Sequence, residues 1–108
     1  MKTLTKLAAV IALVGSAAVA LAQDSATAAF KAADMDMMKN MNSAPETGNP
    51  DVDFRTHMIP HHEGAIAMAK VALEYAKDAD TKRLAQNIIE AQEKQVADMQ
   101  AWLKKHAR

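Results

Sequence analysis

Apolar positions near the C-terminus recur with a 4-3-4-3-4 spacing: Ala85, Ile89, Gln92, Val96, Met99 and Leu103, with Gln92 the one polar interruption. That spacing is the seam of left-handed helix packing, so it predicts a helix beginning near Thr81, with Asp78 or Asp80 as its cap. A second helix is predicted from about Val52 to Ala76. On its wheel Phe54, Ala65, Ala72 and Ala76 share one side, while Arg55, Glu63, Lys70, Glu74 and Lys77 share the other. Only the "KDAD" stretch separates the two periodic segments, and helices joined by so short a turn lie antiparallel. Upstream, "SATAAFKAADMDMMKNM" (residues 25–41) contains no glycine or proline and suits a third helix. The intervening "NSAPETGNPD" is a loop by composition, and Asp51 or Asp53 is positioned to cap the helix beyond it. Pro60 falls inside that helix, where a kink is expected because proline cannot donate to the carbonyl of Thr56. No segment alternates with period two, so the class is all-α: an antiparallel hairpin with an N-terminal helix.

The first residues change the picture of where the chain works. Lys2 and Lys6, an apolar run from Leu7 to Ala22, and small residues at Ala20 and Ala22 form the pattern of a cleaved secretory signal. Residues 1–22 are therefore expected to be a signal peptide and residues 23–108 a helical domain, periplasmic or secreted, with no stable membrane insertion after cleavage. Cleavage removes two lysines and no acid, leaving 11 basic against 13 acidic side chains, so a basic nucleic-acid binder is excluded. At 86 residues a single core gives only a few kcal/mol of net stability, roughly, and a homo-oligomer is expected.

The segment with most chemistry is "HMIPHHEGAIAM", residues 57–68, three histidines and two methionines in an alanine-rich helix. At about 100° per residue His57, His61 and Met68 form one stripe and Met58 and His62 another, flanking the face that packs inward. Adjacent imidazoles bury poorly and repel when both are protonated, so Met58, His61, His62 and Met68 are better read as metal ligands than as core filler. Met99 faces them from the third helix. The chain has no cysteine, so a soft metal must be held by sulfur from methionine and nitrogen from histidine. Thioether suits Cu(I) and imidazole suits copper in both oxidation states; copper is the expected ion, Cu(I) favoured and Cu(II) possible. Export without cysteine but with seven methionines in residues 23–108 fits that choice. Met38 and Met41 lie one turn apart in the first helix and offer a capture site, or an ordinary apolar stripe. His106, near the C-terminus, is read as solvated.

The run "DVDFRTHMIPHHEGAIAMAKVALEYAKDADTKRLAQNIIEAQEKQVADMQAWL", residues 51–103, resembles the CopM-like family of periplasmic copper-binding proteins, domain of unknown function 305, through its "MIPHH-GAI-MA" signature. The resemblance implies a ferritin-like helical bundle that binds copper through methionine and histidine and serves copper resistance or trafficking with a periplasmic donor or acceptor. Carried over, Met58, His61, His62 and Met68 match the first motif and Met99 the methionine before the closing "WL". Two positions depart from the family pattern: Gln95 stands where members often carry glutamate, and His57, where they commonly carry another residue, is a candidate further metal ligand that many relatives lack.

Other chemistries find little here. A carboxylate-bridged di-iron site needs Glu-x-x-His pairs, but Phe54, Met58, Ile59 and Leu103 stand three before the four histidines. No nucleophile motif is present, and no enzyme is expected. The rival reading is an exported helical module that dimerises through its alanine face and uses no metal.

Overall fold

The structure is a computed structural model that describes the backbone of residues 2–106 and the side chains of residues 17–106. Of the expected signal peptide, Met1 and the side chains of residues 2–16 lie outside the described residues. Three helices make up the fold, α1 (Lys2–Asn42), α2 (Pro50–Tyr75) and α3 (Ala79–His106), with no strand among the described residues. The class is all-α. The Ser25–Met41 segment is the C-terminal part of α1, which runs into it without a break.

The start of α2 corrects one expectation. Asn49, not Asp51 or Asp53, is the cap: it has extended backbone angles, φ −92° and ψ 111°, and its side chain accepts the N–H of Asp51 at 3.0 Å. The reason is Pro50, which biases the residue before it toward extended geometry and itself fits the first helical turn. Asp53 is drawn instead into the loop. Its carboxylate accepts the Thr47 hydroxyl at 2.7 Å and the backbone N–H groups of Thr47 and Gly48 at 2.9 Å each. These bonds, the Thr47 hydroxyl foremost, hold its carboxyl below the ordinary value of 3.8. Gly48 takes φ +83°, a left-handed conformation that glycine adopts without a Cβ penalty. At the other turn Asp78 accepts both the N–H and the hydroxyl of Thr81 at 2.9 Å, the cap expected there.

α2 is the central helix: α1 and α3 each pack on it and, among the described residues, not on one another. The molecule is accordingly flat, 80 × 25 × 14 Å, about one helix thick. Against α3, Arg55 lies over Trp102, His62 meets Gln95, and Ala69 packs with Ala85 and Ile89, so the pairing order on one helix reverses that on the other. Ala69, Ala85 and Ile89 are buried, with Ile66, Ala72, Leu73 and Ile88 packed around them. The seam positions Ala85, Ile89, Gln92, Val96, Met99 and Leu103 are all at least half-buried.

The α1 side is closer. Pro60 and Gly64 are buried there, and a Cβ on Gly64 would fall 2.5 Å from Cγ and Sδ of Met37. Helix α2 continues through Pro60 without interruption. Among the described residues no helix is long and apolar enough to cross a membrane.

Candidate metal centre

His62 is half-buried on the α3 side of α2, and both of its ring nitrogens are engaged. Nδ1 donates to the backbone carbonyl of Met58 at 2.8 Å, one helical turn earlier. A carbonyl only accepts, so Nδ1 carries a proton and a neutral ring keeps its lone pair on Nε2. This is the arrangement that fixes the tautomer and ring direction of metal-binding histidines. Nε2 lies 2.6 Å from the side-chain amide of Gln95, at Oε1. An imidazolium would donate to that oxygen; a neutral ring requires the amide to turn and present its NH2 group to Nε2.

Around this pair is a cavity of about 310 Å³ between α2 and α3, lined by Phe54, Met58, His62, Gln95, Asp98 and Met99. Two thioethers from different helices thus border the space beside one imidazole. Met58 and His62 share it because four residues make about one turn, and Met99 because the α3 seam turns that position inward. Asp98 adds a carboxylate at the rim, where its Oδ2 is 3.1 Å from Lys94 Nζ. Among the described residues no three of His, Asp and Glu converge in a group fit to hold a metal ion. The donors that Met58 and Met99 add to this cavity are thioether sulfurs.

The other candidate residues lie elsewhere. His57 is half-buried and donates Nδ1–H to the carbonyl of Asp53 at 2.7 Å, leaving Nε2 uncommitted in the same tautomer. His61 is exposed; its ring centroid is 5.9 Å from that of His62, with the planes tilted by 59°. Met68 lines a different cavity, of about 260 Å³, with Ala72, Leu84, Ile88 and Gln92. Ten residues separate it from Met58, about 15 Å along a helix, too far for both sulfurs to reach one ion within a chain. On α1, Met38 is exposed (60%) and Met41 half-buried, and it is Met37 that meets α2. The structure thus brings Met58, His62 and Met99 around one cavity, leaves His61 outside its lining but with its ring beside that of His62, and places Met68 and Met38 elsewhere.

Two lining residues escape the sequence reading. Gln95 draws notice there only as a departure from the family pattern, and Asp98 not at all. Gln95 had a signal, since it falls one turn before Met99 on the same face of α3, whereas Asp98, adjacent to Met99, had none. His106 is exposed as expected, but its ring stacks on Trp102 with centroids 4.0 Å apart.

The family model described as "Domain of unknown function (DUF305)" matches residues 51–108, more than half of the chain. The chain belongs to the DUF305 family. Its DUF305 segment takes in all of α2 beyond Pro50 and all of α3, so every residue lining the His62 cavity lies within it. No curated protein matches the chain.

Proposed function

We propose that this DUF305 protein is exported and binds copper, Cu(I) in preference to Cu(II), to sequester it or pass it between partner proteins in metal resistance or homeostasis. The observation that carries this reading is the single cavity bordered by Met58, His62 and Met99. Two thioethers and one imidazole are a soft donor set that favours Cu(I), whereas a carboxylate-rich set would favour harder ions. Asp98 is the one carboxylate on the cavity. No turnover is proposed: copper is cargo, and the protein's part is to hold and release it. His57, His61, Met68, Met38 and Met41 serve as further soft donors along the route or between chains. α2 and α3 are the antiparallel hairpin of a ferritin-like bundle that a second copy completes.

A titration of the protein with Cu(I) against a competing chelator tests this, beside a variant with Met58, His62 and Met99 all changed to alanine. Tight binding that disappears in a still-helical variant supports the reading; equal binding by both rejects it. A second reading, a helical interaction module without a metal role, is favoured by one observation. Phe54 and Leu84 remain 62% and 60% exposed on a layer one helix thick, a surface suited to a partner. That reading predicts that the triple alanine change alters self-association or stability but no copper affinity.

A further inference from the structure

Gln95 occupies the place a metal would take on His62. The carbonyl of Met58 holds the Nδ1 proton, so Nε2 is the ring's donor atom, and the Gln95 amide sits 2.6 Å from it on the border of the cavity shared by Met58 and Met99. An ion approaching the two sulfurs reaches Nε2 only after that amide has left.

We infer that Gln95 is a latch: it satisfies His62 Nε2 in the metal-free protein and competes with copper for it. The inference rests on the copper reading above and adds to it the residue that sets affinity and release. In the free state the amide keeps a half-buried imidazole hydrogen-bonded and the ring aimed across the α2–α3 seam. In the loaded state the copper–nitrogen bond replaces that hydrogen bond, and the amide swings toward solvent, where Gln95 is already exposed. With the ring neutral and the amide NH2 turned to Nε2, no proton is released and Nδ1 keeps its proton on the Met58 carbonyl; from an imidazolium, whose Nε2–H donates to Oε1, binding releases that one proton to solvent. The amide's return gives the leaving ion a competitor built into the facing helix, which suits a protein that hands its cargo on.

The test uses the full chain, expressed with its own N-terminal segment and recovered as the cell processes it. Cu(I) affinity is measured by chelator competition for the native protein, Gln95→Leu and Gln95→Asn. Leucine removes the amide; asparagine keeps it but is one methylene too short to reach Nε2. Both variants are expected to bind Cu(I) about 3- to 10-fold more tightly, the factor a typical net hydrogen bond represents. Nitrogen NMR of the metal-free protein supplies a readout that general stability would not move: the His62 Nε2 resonance shifts toward a free lone pair in both variants, with Nδ1 still protonated. Unchanged or weaker binding in the variants, with native binding intact, overturns the latch and leaves the copper reading standing. Absence of Cu(I) binding by the native protein overturns both. Because position 95 is exposed on α3, helicity is expected to survive, and asparagine provides the second variant should leucine associate.

Discussion

The two sides of α2 surround methionine with different chemistry. On the α1 side Met37 sits directly over Gly64, beside buried Pro60, and the cavity it borders, of about 210 Å³, is lined by Asp36, Asn40 and Glu63 with no histidine and no second methionine. On the α3 side Met58 and Met99 border an open space with His62 and the Gln95 amide. An unbranched, polarisable side chain suits both uses, and what separates them is the company the sulfur keeps. Glycine brings α1 in close and makes Met37 a packing knob. Met58 and Met99 instead bring two sulfurs from different helices to a cavity that also holds an imidazole.

The largest effect expected from this contrast is on copper. Changing Met58, His62 and Met99 together to alanine should weaken Cu(I) binding beyond the roughly 10- to 100-fold typical of losing an outer partner. Met37→Leu should leave it unchanged, as read by chelator competition. If Met37→Leu weakened binding as much, the two sides would not differ as described.

Stability should report the reverse pattern. Gly64→Ala puts a methyl group against the Met37 side chain, including its Cβ at 2.7 Å, and should cost about 1–3 kcal/mol in denaturant unfolding. Adding Met37→Ala should recover part of that loss. The same Gly64→Ala change should leave copper affinity nearly intact, because the cavity lies across the helix.

A smaller effect is expected midway along the α3 seam. Gln92 Oε1 is buried with no hydrogen-bond partner, unlike the Gln95 amide on His62. Gln92→Leu should therefore be neutral or stabilise by about 1 kcal/mol, with copper binding unchanged. A clear loss of stability would mean that the oxygen has a partner in solution, such as a second copy.

The smallest effect concerns the two turns. The carboxyls of Asp53 and Asp78 are both held below their ordinary value, by bonds from Thr47 with Gly48 and from Thr81 respectively. A depressed carboxyl contributes stability that is present above its ordinary value and lost as pH falls through the folded one. Acidification below about pH 4 should loosen both turns, and Asp53→Asn with Asp78→Asn should flatten that dependence in acid unfolding tracked by circular dichroism.

The helices were legible because their signals are local: the 4-3-4-3-4 seam, the Pro-Gly loop, and Asp78 ahead of Thr81. The cap at Asn49 was missed because Asp51 and Asp53 are equally good caps by residue type, and Pro50 and the Thr47 bonds decide among them. The candidate site was legible as residue types and as two stripes on one helix. What the sequence left undecided is which stripe meets α3. That depends on where α1 and α3 pack around α2, a long-range outcome of Gly64, Ala69 and Ala85. Hence Met58, His62 and Met99 share a cavity while Met68, in the same motif, lines another.

The central claim is that copper sits between two sulfurs and one imidazole. X-ray absorption at the copper edge of the Cu(I)-loaded protein tests it most directly. The account predicts two sulfur scatterers and one histidine nitrogen, with the sulfur signal lost on changing Met58 and Met99 to leucine and kept on changing Met68. A first shell of nitrogen and oxygen alone, or sulfur that persists without Met58 and Met99, would contradict it.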